Sequence, residues 1–128
     1  MKTVVASLSI IAMFLISMSA QASELEIRDD GTAMVKGEVT GHTSRCEVDG
    51  VCSLILNVNG QTVFLDYAEG DTECANMKAA AWVKWGRNVK VGTVVQALGA
   101  YKKQGDTLRL RFCDSEKYYI TEFRGHTS

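Results

Sequence analysis

The stretch Ser53 to Tyr67, SLILNVNGQTVFLDY, decides how the rest of the chain is read. Two runs of alternating character, Ser53 to Val58 and Gln61 to Tyr67, flank Asn59-Gly60. Asn-Gly is the favoured pair for a two-residue type I′ turn, whose twist matches that of a β-hairpin. The turn sets a register that pairs Val58 with Gln61, Leu56 with Val63, Leu54 with Leu65 and Cys52 with Tyr67. One face then carries Leu54, Leu56, Val58, Val63 and Leu65, and the other carries Ser53, Ile55, Asn57, Thr62, Phe64 and Asp66. A slip of one residue would exchange the two faces, so turn chemistry and alternation support each other.

Outward from this hairpin, Met34 to Thr43 reads as a strand with Gly37 inside it, where a bulge or tight bend is expected. A short strand at Leu25 to Arg28 precedes it, joined through Asp29-Asp30-Gly31. On the other side, Asp71 or Thr72 can cap a helix from Glu73 to Trp85, with Gly86 as the stop. Met77, Ala80, Ala81 and Trp85 can line its apolar face, while Lys78 and Lys84 project outward; Trp82 and Trp85 read as core. Val89 to Gly92 leads into a strand from Thr93 to Tyr101. Lys102 to Asp106 turns the chain, and Leu108, Leu110 and Phe112 alternate with Arg109, Arg111 and Cys113. A last short strand spans Tyr118 to Phe123.

The chain opens with Met1-Lys2-Thr3, an apolar run from Val4 to Met18, and Ala20-Gln21-Ala22. A basic start, an apolar core and an A-x-A site make up a secretory signal peptide, with cleavage expected after Ala22. The run is too short and wrongly flanked for a membrane span, and no second one follows. The expectation is a signal peptide over 1–22 and one domain over 23–128, located in the periplasm or secreted. Removing Lys2 takes the formal charge from −1 to about −2, which gives no global attraction to polyanions. There is no proline, repeat or low-complexity tract to mark a linker.

All four cysteines, Cys46, Cys52, Cys74 and Cys113, fall in the exported part, and an even number there points to two disulfides. Three connectivities are possible. The preferred one is Cys46–Cys52, closing a small loop, with Cys74–Cys113, tying a helix start to a late strand. Zinc is disfavoured by the C-x5-C spacing and by the absence of a histidine ligand pair, and redox chemistry by the lack of C-x-x-C.

Strand, strand, strand, helix, strand, strand, with glycine inside two strands, resembles the OB-fold, a small Greek-key barrel. Val35-Lys36-Gly37-Glu38-Val39 carries the likeness in the first strand, and Val91-Gly92-Thr93-Val94-Val95-Gln96-Ala97-Leu98-Gly99 carries it in the fourth. The fold class expected is therefore mainly β with one helix, an OB-like Greek-key barrel with possible extra terminal strands. A different small barrel or α+β roll is the alternative. The resemblance implies a rim built from the loops at 43–51 and 102–106, beside the usual ligand face.

No nucleophile motif, zinc-protease helix, phosphate loop or dinucleotide fingerprint occurs, so the residues point away from an enzyme and call for no cofactor or metal. His42 and His126 read as surface histidines. Asp29, Asp30, Glu69, Asp71 and Glu73 belong to turns and caps rather than to a calcium loop. Asp66, Arg109 and Arg111 supply the residue types of a nuclease barrel without its pattern. Lys102, Lys103, Arg109 and Arg111, near Tyr101, Tyr118 and Tyr119, could serve a single-stranded nucleic acid, but a solvated strand face is favoured.

What remains is an exported binding module for a protein, saccharide or small ligand. Its candidate residues are Arg45, Glu47 and Asp49 on the stapled loop, with Lys102, Lys103, Arg109 and Arg111 on the other side. An inhibitor or immunity-type protein is the first alternative, and a nucleic-acid or polyanion binder the second.

Overall fold

The computed structural model describes residues 23–43, 51–69 and 74–123. Among these residues, seven strands and one helix run in the order β1 (Glu24–Ile27), β2 (Thr32–His42), β3 (Val51–Val58), β4 (Gln61–Glu69), α1 (Ala79–Arg87), β5 (Val94–Gln104), β6 (Thr107–Arg111) and β7 (Tyr119–Glu122).

The hairpin forms β3 and β4, with Asn59 and Gly60 at φ 53° and 84°, as a type I′ turn requires. Val58↔Gln61, Leu56↔Val63 and Leu54↔Leu65 pair as the sequence predicts. The expected Cys52–Tyr67 pair does not form. A bulge between Cys52 and Ser53 moves Cys52 opposite Ala68, so Cys52 and Ser53 are both buried. Leu54, Leu56, Val58, Val63 and Leu65 are fully buried in the core.

The sheet closes into the OB topology. β2 pairs β3, β3 pairs β4, β4 pairs β6 in parallel, β6 pairs β5, and β5 returns to β2. β2 and β5 are long enough to belong to both halves of the barrel. The first half of β2 pairs β5 from Thr32↔Ala100 to Glu38↔Val94, and its second half pairs β3. Gly37 lies where β2 passes from one half to the other. A Cβ there would stand 2.9 Å from Val58 Cγ2 and 3.1 Å from the Asn57 carbonyl. The bulge itself falls later, between Val39 and Gly41.

The two terminal strands occupy edges that the barrel leaves open. β1 pairs β2 beyond the end of β3, and β7 pairs β5 before the start of β6. Together β1, β2, β5 and β7 make a four-stranded antiparallel sheet continuous with the barrel.

The helix begins later than the sequence suggests. Residues 70–73, including the expected caps, lie outside the described residues. Lys78 is the N-cap residue and makes no side-chain capping bond; the Asn76 side-chain oxygen instead accepts the Lys78 N–H at 3.0 Å. Gly86 is within the helix rather than its stop, and it lies against the Tyr67 ring. Trp82 is buried, edge-on to Phe112 with ring centroids 5.8 Å apart, and Trp85 packs half-buried against the core. Met77, Ala80 and Ala81 are exposed instead of lining that face. Lys78 and Lys84 point outward as expected.

Cys74 and Cys113 form a disulfide that joins the segment before α1 to the residue two beyond β6. Cys52 is also disulfide-bonded, and Cys46 lies outside the described residues. Among the described residues no helix is long and apolar enough to cross a membrane.

Candidate functional site: the outer face of β3, β4, β6 and β5

Strand register arranges the outer barrel face in three rows. The first is Asn57, Thr62, Thr107 and Gln104; the second is Ile55, Phe64, Arg109 and Lys102; the third is Ser53, Asp66, Arg111 and Ala100. Each row alternates with one whose side chains fill the core, as a closed small barrel demands.

A fixed polar group occupies the middle of this face. Arg109 donates from Nε to Asp66 Oδ2 and from a terminal nitrogen to Asp66 Oδ1, both at 3.1 Å. This two-pronged geometry holds the guanidinium plane in one orientation. The Ser53 hydroxyl donates to Asp66 Oδ1 at 2.5 Å. The Arg109 guanidinium carbon also lies 4.5 Å from the centre of the Phe64 ring, within cation–π range. Asp66 and Ser53 are buried, although both belong to the outward set of the hairpin. A buried carboxylate of this kind persists only when it is paired and hydrogen-bonded, and Arg109 with Ser53 meets that condition.

The cationic residues gather around this group. Lys102 stands opposite Arg109 in the β5–β6 ladder, and Arg111 stands opposite Asp66 in the parallel ladder. Asp66 is paired with Arg109, and Lys102 and Arg111 stand beside that pair on the same face. Lys103 is exposed near the β5–β6 turn, opposite Leu108, and so belongs to the other side of its strand.

Of the loops expected to rim the site, the one at 102–106 shrinks to Gly105-Asp106 because Lys102 to Gln104 continue β5, and the strand end that receives the one at 43–51 lies at the other end of the face. Thr62↔Thr107 sets the β5–β6 turn beside the Asn59-Gly60 turn, whereas Val51 and Glu69 mark the far end. Arg45, Glu47 and Asp49, on the loop between β2 and β3, lie outside the described residues. Just before that loop, Thr43 is tied to Ser53: its N–H donates to the Ser53 carbonyl at 3.1 Å, and its hydroxyl accepts the Ser53 N–H at 2.9 Å.

His42 is not a plain surface histidine. It is half-buried, and its Nε2–H donates to the Val89 carbonyl at 2.6 Å, fastening the end of β2 to the segment after α1. His126 lies outside the described residues. Among the described residues no group of three or more His, Cys, Asp or Glu is placed to hold a metal ion.

Sequence reasoning missed the Phe64–Arg109–Asp66–Ser53 group. The hairpin register already placed Ser53 beside Asp66, but Arg109 reaches them only through the non-local β4–β6 pairing. Comparison with known protein families and with characterised proteins finds no match.

Proposed function

We propose that the protein is an exported binding module whose barrel face takes an anionic ligand, one presenting carboxylate, sulfate or phosphate oxygens. The observation that carries this reading is the row Ile55, Phe64, Arg109 and Lys102 with Arg111 beside it. A guanidinium already ordered against Asp66 and Phe64 loses little entropy when an anion arrives, so binding there costs less than binding to a mobile side chain. Lys102 and Arg111 add charge, while Phe64 and Ile55 supply apolar surface for the uncharged part of the ligand. Export is supported by the Cys74–Cys113 disulfide, since such bonds persist in oxidising compartments.

The test is titration calorimetry with three anionic probes: a heparin oligosaccharide, a polyglutamate peptide and an oligothymidylate. One of them should bind, and Lys102→Ala with Arg111→Ala should weaken it by about tenfold or more while lowering the salt slope. Phe64→Ala should weaken the same probe. The reading fails if none of the three binds, or if binding is indifferent to Lys102, Arg111 and Phe64.

A further inference from the structure

A second concavity opens around the corner of the barrel, at the point where β2 leaves β1 and joins β3. It is a cleft of about 420 Å³, within the range of small-ligand sites, with Lys36, Glu38, Thr40, Asn57, Asn59 and Ser23 supplying its polar lining. Gly37, Gly60 and Val94 contribute its apolar wall.

The internal hydrogen bonds of the cleft determine which groups are left for a ligand. Asn57 Oδ1 accepts the Gly60 N–H at 2.9 Å. Asn59 Oδ1 accepts the Ser23 hydroxyl at 3.4 Å, and Ser23 Oγ in turn accepts the Asn59 N–H at 3.2 Å. Both side-chain carbonyls are therefore engaged, one by Gly60 and one by Ser23, and each carboxamide keeps its NH₂ as a donor. Thr40 donates its hydroxyl proton to the Ile55 carbonyl at 3.2 Å and keeps acceptor capacity. The Lys36 ammonium is matched by Glu24 at 3.3 Å and sits 4.2 Å from the Phe123 ring centre. The exposed Glu38 carboxylate is matched by no ion pair among the described residues.

These groups narrow the ligand class. Glu38 puts a carboxylate on the cleft wall, which disfavours an anionic group placed against it. The absence of a three-carboxylate or histidine group among the described residues disfavours a bound metal ion. The register commits the main chain of Lys36 to Glu24 and that of Glu38 to Asn57, so an extended peptide finds no strand edge to pair with. What fits is a small molecule with many hydroxyls: acceptors for the two carboxamides, donors for Glu38 and Thr40, and a C–H face for Val94 and the glycines.

We propose that this cleft is a saccharide subsite that takes a neutral or amino sugar unit through Glu38, Thr40, Asn57 and Asn59. It adjoins the barrel face at Asn57 but shares none of that face's cationic residues, Arg109, Lys102 and Arg111.

The experiment uses ¹H–¹⁵N NMR of the full mature chain, titrated with cellobiose, with chitosan disaccharide and, as the anionic control, with glucuronate. The side-chain amide signals of Asn57 and Asn59 should shift with one of the first two and stay in place with glucuronate. Glu38→Gln, an isosteric change at an exposed position, should weaken that binding by about tenfold, the size expected for a lost charge-assisted hydrogen bond. Lys102→Ala should leave it unchanged. The proposal is overturned if neither sugar moves the Asn57 and Asn59 amides, if glucuronate moves them as strongly, or if Glu38→Gln binds as the parent does.

Discussion

Asn76 shows how much one side chain can organise in a domain of this size. It is buried, and its NH₂ faces three carbonyls: Phe112 at 3.1 Å, Ser115 at 2.9 Å and Tyr118 at 3.1 Å. Two protons serve three acceptors, so one is shared. Its oxygen meets the Lys78 N–H and its own N–H reaches the Cys113 carbonyl at 3.0 Å. Asn76→Ala keeps the main-chain bond to Cys113 but strips every side-chain partner at once, and should destabilise the fold by about 2–4 kcal/mol in urea unfolding. Asp30 makes a smaller, exposed counterpart. Its carboxylate accepts the Thr32 hydroxyl at 2.6 Å and the Thr32 N–H at 3.0 Å, and these bonds hold its pKa below the ordinary carboxylate value. A depressed folded pKa gives stability that is present above the unfolded value and lost as the pH falls through the folded one. Thr32→Val keeps the β-branched shape but removes the hydroxyl, the larger cause. The Asp30 titration followed by NMR should move to higher pH in that variant, and an unmoved midpoint would refute the hydroxyl's role.

Among the elements, α1 is where local sequence signals and tertiary packing part company. Gly86 reads as a stop, yet it lies inside the helix because a Cβ there would stand 2.5 Å from Tyr67 Cζ. Tyr67 is only 3% exposed, so its ring has no open side to retreat to. Alanine is favoured over glycine by about 1 kcal/mol in a helix interior, but overpacking typically costs 1–3 kcal/mol. Packing wins, and Gly86→Ala should lower the urea midpoint. The exposed Ala80→Gly should also destabilise, by only about 1 kcal/mol and through propensity alone. Equal stability of Gly86→Ala and the parent would show that the helix can move off Tyr67. The hairpin behaved otherwise because its information is local: Asn59-Gly60 and the alternation of Leu54, Leu56, Val63 and Leu65 act within fifteen residues of chain. The helix start differs from the expectation because the Asn76 side chain takes the Lys78 N–H, and Asn76 is itself held by the distant carbonyls of Phe112, Ser115 and Tyr118. The union of Arg109 with Asp66 was hidden because it depends on β6, a partner strand that no short window contains. The Cys52 bulge lies inside the hairpin, but simple alternation carries no signal for it.

In the molecule as a whole, two fasteners hold the segment from Phe112 to Tyr118, which leads from the barrel into β7. One is the Asn76 cluster and the other is the Cys74–Cys113 disulfide, two residues away from it in sequence. The disulfide closes a loop with a sequence separation of 39, for which loop entropy predicts a contribution of about 4 kcal/mol. Replacing both cysteines with alanine should therefore lower the unfolding free energy by roughly that amount, less whatever strain or residual structure intervenes. Where the loss falls is more informative than its size. The β3–β4 hairpin pairs through eight register positions and packs its inner face into the core without reference to Cys74 or Cys113. β7 has four residues and, among the described residues, pairs only with β5. In native-state hydrogen exchange the Cys74→Ala/Cys113→Ala variant should lose protection first at Ile120 to Glu122, while Leu54, Leu56 and Leu65 stay protected to the global limit. Combining it with Asn76→Ala should give less than the sum of the two effects, because both fasteners restrain one segment. Additive losses, or uniform loss of protection across β3 and β7, would mean that the disulfide acts on the unfolded chain alone and does not locally restrain β7.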